Sequence, residues 1–472
     1  MIIMYVQFTN RLKALRFTST LAAACWLFIL FPLLFTNPSF AEDTISTSGR
    51  LNLRGIEAQY DDSVKEDPGA AGRIKLDMNG SSWKFHAWLE SEWDGTVKRP
   101  ARDKALFKNY EDVYQSNTPY LEFKELWVQY STTTLDVKTG VQRFSWGRLD
   151  EFPPNDLLNP WDYSQFLRKP LEDRKIGVPS VSANLNNGDW TYDTVWVPWF
   201  VPYRLSMPDE RWSGASSASA LSRIPNAEIV PAQPDLPPRT IRNSNIGFRA
   251  RHTGEIEWAL NLYHGFDPLP VFKTTALVID MQPGKILIDP GYVPDFHRVT
   301  SIGLDAAVVT GEWSLRAEAA YIMNRYYNIE QSRWGYPASL ISSQLNTIGI
   351  KTDVLNYGIG ADYRLFEDAT LFIQAQQIVI LGNTDQLYER KTETILTANV
   401  KVFLMNQKVE TNASIAYNPE HGDSMVKVNA WYIFTDSLKT GITAINLTGP
   451  SQSIFGRYSR NDQVEGELVY SW

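Results

Sequence analysis

The residues best placed to act on a solute lie between Phe144 and Gly177. Arg148, Arg168, Lys169, Arg174 and Lys175 are interleaved there with Asp150, Glu151, Asp156, Asp162, Glu172 and Asp173, and with Trp146, Phe152, Trp161 and Phe166. Near-cancelling charges set among aromatics describe a segment that packs on something. They also suit one that sorts ions and polar solutes, because rings or clusters of charge set the selectivity of a pore. The candidate site residues are Trp146, Arg148, Asp150, Glu151, Asp156, Asn159, Asp162, Arg168 and Arg174. Pro153-Pro154 and Asn159-Pro160 fix turns within the stretch, and residues 156–166 have room for a short helix.

Other chemistry is poorly supplied. The sole cysteine, Cys25, sits in an apolar run near the start of the chain, so a chain without that run has no thiol for disulfides, for covalent haem attachment or for Cys-based metal sites. His264, followed by Gly265, is the best-placed base for a Ser/His site, and no nucleophile motif accompanies it. Calcium-loop patterns and histidine pairs at metal-ligand spacing are missing. No enzyme activity, metal or cofactor is expected.

The elements that position the charged stretch follow from how the chain begins. Arg11, Lys13 and Arg16 precede a nearly continuous apolar run over residues 20–35, and Ser39-Phe40-Ala41 puts small residues at the −3 and −1 positions of a cleavage site. That is the layout of a secretory signal over residues 1–41, cut between Ala41 and Glu42. The remainder holds 42 basic and 53 acidic residues, a net of −11, and no nucleic-acid partner is indicated. No apolar stretch after position 41 is long enough for a membrane helix. An exported, aromatic-rich, overall polar chain fits the other structure able to span a bilayer, a closed barrel in which only alternate side chains meet lipid.

Period-2 alternation recurs through residues 42–472. Trp83, Phe85, Ala87 and Leu89 alternate with Lys84, His86, Trp88 and Glu90; Val426, Val428, Ala430, Tyr432 and Phe434 alternate with Lys427, Asn429, Trp431 and Ile433. About 18 strands (16–18) are expected, beginning near residues 45, 71, 83, 120, 135, 178, 190, 242, 255, 299, 312, 353, 368, 392, 407, 424, 436 and 460. Alternation fails near Lys124-Glu125, which suggests a bulge. Every second connection is tiny, while those at 94–119, 144–177, 201–241, 267–297 and 326–352 are long. A soluble sandwich gives no reason for that alternation. An outer-membrane antiparallel β-barrel does, with tight periplasmic turns and long external loops. The register puts Arg50, Arg54, Arg73, Lys84, Glu90, Arg249, Arg251, Glu255, Arg316, Glu318, Asp362, Arg364, Glu465 and Glu467 on the lumen face, and closure offers Glu465 and Glu467 to Arg50 or Arg54. The near balance of sign gives no preference for anions or cations.

One stretch is similar to a known family. Gly140-Val-Gln-Arg-Phe-Ser-Trp146-Gly147-Arg-Leu-Asp150 and Pro154-Asn-Asp156-Leu-Leu-Asn159-Pro160-Trp-Asp162 resemble a pattern, G-x-Q-x-x-x-W-G-x-x-D then P-x-D-x-L-N-P-x-D, of proteobacterial outer-membrane proteins of unknown function. The resemblance is close over residues 135–212 and elsewhere extends only to barrel architecture. It implies a porin-like or export-type barrel in the outer membrane of a Gram-negative bacterium and names no substrate. The expected function is passage of small solutes, with loop 144–177 either folded into the lumen or capping the barrel outside. The alternative is a scaffold or sheath for an exported partner, such as a multihaem cytochrome. Membrane lipid is the expected surrounding. The closing alternation Val464, Gly466, Leu468, Tyr470, Trp472 resembles the signal read by the barrel-assembly machinery.

Overall fold

The computed structural model describes residues 44–60, 63–94, 120–206, 211–212, 225–229, 234–274, 278–289, 292–329 and 349–472. The expected signal and its cleavage point, the connection 94–119 and most of 201–241 and 326–352 lie outside them. Eighteen antiparallel strands form one sheet. They are β1 Thr44–Tyr60, β2 Ser63–Asn79, β3 Trp83–Asp94, β4 Tyr120–Ser131, β5 Leu135–Gln142, β6 Val178–Asn187, β7 Trp190–Val197, β8 Asn245–His252 and β9 Ile256–Phe266. The other half comprises β10 Arg298–Thr310, β11 Trp313–Tyr327, β12 Ile350–Phe366, β13 Ala369–Ile380, β14 Thr392–Leu404, β15 Val409–Asn418, β16 Asp423–Thr435, β17 Leu438–Thr448 and β18 Gln463–Ser471. Each strand pairs with its sequence neighbours, and β1 pairs with β18 from Arg50↔Ser471 to Ala58↔Gln463, which closes the barrel. Gly49 and Trp472 extend the seam by exchanging two backbone hydrogen bonds of 3.1 Å. Closure leaves the sheet without an edge strand.

The strands form where the sequence alternates because one face meets lipid and the other the lumen. Leu51, Leu53, Ile302, Leu304, Ile359, Ile415, Val428, Ile442 and Leu468 are exposed on the outer face. At the short-turn end that face carries aromatics in contact: Trp83 with Tyr130 at 4.7 Å, Trp190 with Trp258 at 5.2 Å and Trp313 with Tyr363 at 4.4 Å. Such a girdle marks a membrane–water boundary. The tight turns lie at the expected places. Gly188 and Gly311 take φ of 59° and 58° there, a conformation that costs other residues a steric penalty. No described helix is long and apolar enough to cross a membrane.

Three local expectations are resolved. The bulge is present: Trp88 pairs with Glu125 and Leu89 with Phe123, leaving Lys124 unpaired in the ladder. Strand β2 begins at Ser63 rather than near residue 71, because the polar run 63–70 pairs along the whole outer half of β1 and needs no apolar pattern to do so. His264 Nδ1 lies 2.9 Å from Thr300 Oγ1, its direct neighbour across β9 and β10, so this pair is a cross-strand hydrogen bond.

Wall height is uneven. Strands β1, β2 and β12 have 17 residues each, whereas β5, β7 and β8 have 8 and β6 has 10. The low flank lies where the charged stretch leaves the sheet.

Candidate pore constriction

Strand β5 stops at Gln142, level with the middle of β4: Val141 sits opposite Leu126, six residues short of the outer end of β4 at Tyr120. The chain then turns inward. Two motif residues hold the root of the loop. Asn159 Oδ1 accepts from the Phe144 N–H at 2.6 Å, and its Nδ2 donates to the carbonyls of Gln142 at 3.1 Å and Ile176 at 2.8 Å. Gln142 donates to the Ser180 carbonyl at 3.0 Å and accepts from Ser182 Oγ at 2.8 Å, tying β5 to β6. Lys175 Nζ, 2.5 Å from buried Asp156 Oδ2, joins the two limbs. No helix forms over residues 156–166; the one described α-helical turn within the stretch is Leu171–Arg174. Pro160 has no N–H and disfavours helical geometry at Asn159, whose side chain is already committed to the loop root.

The first limb, residues 146–158, lies on the inner face of β8 to β13. Arg148 Nε donates to Asp305 Oδ1 at 2.7 Å and Nη1 to Glu257 Oε2 at 2.9 Å. Arg249 holds Asp305 from the wall at 3.0 Å. Buried Glu318 accepts three backbone N–H groups of the loop, from Arg148 at 2.8 Å, Leu149 at 3.0 Å and Asn155 at 2.7 Å. Gln374 and Gln376 bind the loop carbonyls of Glu151 and Phe152. Trp146, Leu157, Leu158 and Ile176 pack with Val195, Val197, Tyr263, Val299, Ile322 and Val354. Burial of each large apolar side chain contributes about 1.5–3 kcal/mol.

Contact is so close that the wall needs glycine. A Cβ on Gly303 would stand 1.6 Å from Asn155 Oδ1, and one on Gly247 would stand 2.7 Å from the Trp146 ring. Gly247→Val, whose Cβ meets only the Trp146 and Leu158 side chains, is therefore expected to push both off the wall while the strand, which suits valine, stays paired. Limited proteolysis inside the loop, with an unchanged heat-dependent gel shift of the barrel, would register this; resistance equal to wild type would sink the idea.

The second limb, residues 160–175, crosses to β1–β4, β16 and β18. Arg168 Nη1 reaches Glu465 at 2.8 Å, and Lys169 Nζ reaches Glu92 at 2.5 Å. Asp173 pairs with Arg50 at 3.1 Å and with Arg73. Arg174, 1% exposed, donates from Nη2 to both carboxylate oxygens of Glu151, at 2.6 and 2.7 Å. Asp162 receives Arg204 at 3.1 Å, and Arg204 also holds buried Glu122 at 3.1 Å. Phe166 and Leu167 pack with Trp212, Ile395, Ile445, Leu447 and Phe455. Lys427 Nζ donates to the Arg168 carbonyl at 3.0 Å. The loop thus spans the lumen from wall to wall, and the inside placement is the one observed.

Of the lumen residues expected from register, Arg50, Arg54, Arg73, Glu90, Arg249, Arg316, Glu318, Asp362, Glu465 and Glu467 all make contacts inside the barrel. Arg251 is on the same face, half-buried. Asp150 lies near Arg316 at 3.4 Å, and Arg316 also pairs with Asp362. One placement differs, and two lie at the rim of the expected face. Glu255 lies in the exposed turn before β9 and is not part of the wall. Lys84 is on the inner face but exposed at the periplasmic rim. Arg364, 68% exposed, faces the turn residue Glu312 at 3.8 Å at that same rim. The seam also pairs differently from expectation. Glu467 accepts from Asn52 at 2.7 Å, and Arg54 goes to Glu92 at 2.9 Å, because Glu465 is taken by the loop. Sequence reasoning placed Glu92 and Glu257 in the lumen and missed Glu122, Lys124, Arg204 and Asp305 as site residues. Glu122 and Asp305 have lumen parity, but their partners were not legible; Lys124 sits at the bulge and Arg204 outside the barrel strands, where no period reads.

Outside the spanning strands, Glu389 lies in the outer connection between β13 and β14, shielded from solvent at Oε2. Burial pushes its carboxyl up to about 7 from the usual 4.5. A raised acid pKa in the folded form means docking is fully favoured below about 4.5 and weakens as pH rises to about 7. Amide exchange at Tyr388–Arg390 is expected to be faster at about pH 8 than at about pH 5, after correction for intrinsic rates. Equal protection at both would contradict this.

No family model and no curated protein matches the chain. Solved structures do resemble it. The crystal structure of Acinetobacter baumannii OccAB1 shares 8% identity, with 92% of this chain and 97% of that one covered, at a TM-score of 0.51. Pseudomonas aeruginosa OccK2 (OpdF) in complex with glucuronate shares 8% identity over 91% and 97% of the two chains, at a TM-score of 0.49. P. aeruginosa OpdK with vanillate shares 9% over 91% and 99%, at a TM-score of 0.47. The architecture is that of outer-membrane porin barrels with 18 strands.

Proposed function

We propose that this chain is a porin-like channel of a Gram-negative outer membrane, passing small solutes through a lumen narrowed by loop 144–177. The observation that carries this reading is the fastening of one loop to opposite inner walls, by ion pairs at Glu257 and Asp305 and backbone hydrogen bonds at Glu318 on one side, and by ion pairs at Arg50, Glu92 and Glu465 on the other. A preorganised lattice of both signs presents charge to whatever passes and fixes the aperture. The barrel fold, the aromatic girdle and the secretory layout of residues 1–41 support the location, with cleavage between Ala41 and Glu42. Membrane lipid on the outer face and assembly through the strand ending at Trp472 belong to the same reading. So does kinship, through the Gly140–Asp162 motif, with the proteobacterial barrels that the sequence resembles. Catalysis has no part in it. The loop occupies the space that a sheathed partner would need, which disfavours the scaffold alternative.

Single-channel recording of the refolded mature protein in a planar bilayer tests the proposal. Discrete openings, with a reversal potential in a salt gradient, are expected. A correctly folded barrel that stays silent at all applied voltages would overturn it as a standing channel.

A further inference from the structure

The outward face of β8–β10 ends, at its upper rim, in two cations that the protein leaves without a counter-charge. Phe266 on β9 stands opposite Arg298 on β10, and the row beneath holds Ile246, His264 and Thr300. Exposed Leu262 and Ile302 lie one row lower. The Arg298 guanidinium stands 4.5 Å over the Phe266 ring, and its Nη2 donates to the carbonyls of Arg242 and, at 3.2 Å, Ser244. These contacts fix the group yet leave Nε and Nη1 without an acceptor among the described residues. Arg242 is exposed on the 3₁₀ turn Ile241–Asn243. Among the described residues neither arginine has a carboxylate at ion-pair distance. His264 is held through Nδ1 by Thr300 at 2.9 Å, and its Nε2 has no partner among them.

Depth decides what can answer these charges. Phe266 lies eight residues along β9 from Trp258 in the aromatic girdle. That is a strand length of about 27 Å and, at a tilt near 45°, a rise of about 19 Å. The apolar band of such barrels is about 25 Å tall. Arg298 therefore stands no higher than the level where external head groups begin, and a cation there is costly unless an anion meets it. Lipid phosphate is the anion that those surroundings supply. Ile241, 82% exposed beside Arg242, suits the same boundary, with apolar side chain in acyl chains and charge among head groups.

We infer that Arg242 and Arg298, with the imidazole of His264, form a docking site on the outside of the barrel for a phosphorylated acyl lipid of the external leaflet. The lipid phosphate accepts from Nε and Nη1 of Arg298 and from the Arg242 guanidinium, both of which match phosphate geometry. His264 Nε2 meets a polar atom of the lipid backbone below the phosphate. The acyl chains run down the wall over Ile246, Leu262 and Ile302. The site presupposes the outer-membrane placement and is independent of what passes through the lumen.

Native mass spectrometry of the refolded mature barrel with added bisphosphorylated lipid A tests the site. A discrete adduct is expected, weakened about tenfold or more with dephosphorylated lipid A and in Arg242→Gln/Arg298→Gln. Arg242→Gln alone should weaken it a few-fold, and because that side chain is exposed it keeps the test decisive if the double variant fails to fold. Lys391→Gln, an exposed cation on the connection between β13 and β14, should bind as wild type does, which separates a site from general attraction between lipid and charge. Excess inorganic phosphate should leave the adduct in place; its displacement would assign the arginines to free phosphate and overturn the lipid site. Absence of an adduct on folded wild type, equal binding of the dephosphorylated lipid, equal binding by a folded double variant, or equal weakening by Lys391→Gln would also overturn it. Conductance of the same preparation reports on the channel separately, so the two failures are distinguishable.

Discussion

Glu318→Ala is expected to free the first limb of the loop and raise single-channel conductance several-fold. The carboxylate is buried on β11 and accepts three loop N–H groups at 2.7–3.0 Å. Hydrogen bonds to a charged group contribute about 1.5–3 kcal/mol each, and the orphaned donors would also pay for their desolvation. Apolar packing of Trp146, Leu157 and Leu158 opposes release, but it holds the root and not the tip. Gln374→Ala removes the contact with the Asp150 N–H at 3.0 Å and one carbonyl contact, so its effect should be much smaller. Unchanged conductance in a folded Glu318→Ala barrel would mean that this limb does not define the aperture.

The second large effect concerns stability. Glu92 is buried on β3 among Arg54 at 2.9 Å, Lys169 at 2.5 Å and Arg168 at 3.8 Å. Its removal leaves several cations facing one another in a shielded site. Breaking a buried ionic cluster by deleting one partner typically costs about 3–5 kcal/mol, and Glu92→Gln is expected to do so. The midpoint of urea unfolding in lipid vesicles, followed by the gel shift, measures it. Adding Lys169→Met should recover part of the loss, because the two side chains are coupled. A midpoint within error of wild type would show that other contacts carry the second limb.

Much of this was legible beforehand, and the reasons lie in particular residues. Strand positions and short turns could be read from alternation because lipid on one side and water on the other impose a two-residue period. The same period broke where the loop packs. Val195, Val197, Ala320, Ile322, Ile445 and Leu447 have lumen parity, yet they are apolar and buried. Those inward apolar positions were the available sign that something covers the wall there. Glycines at 247 and 303 carried the same message. Partner choice within the lumen was not legible, because Arg54 and Glu467 are opposite in register and still bind elsewhere. Register fixes which side chains share a face; the loop, which follows no period, decides which of them meet.

The low flank has a consequence for the surrounding bilayer. A strand of 8 residues such as β5, β7 or β8 is about 27 Å long, and at a tilt near 45° it rises only about 19 Å. The apolar band of such barrels is about 25 Å tall. Strands of 17 residues elsewhere clear that band easily. Hydrophobic mismatch is therefore confined to one side, where lipid must thin or the whole barrel must lean to keep polar chain out of hydrocarbon. The protein should consequently sit askew, and a thinner membrane should seat it more upright.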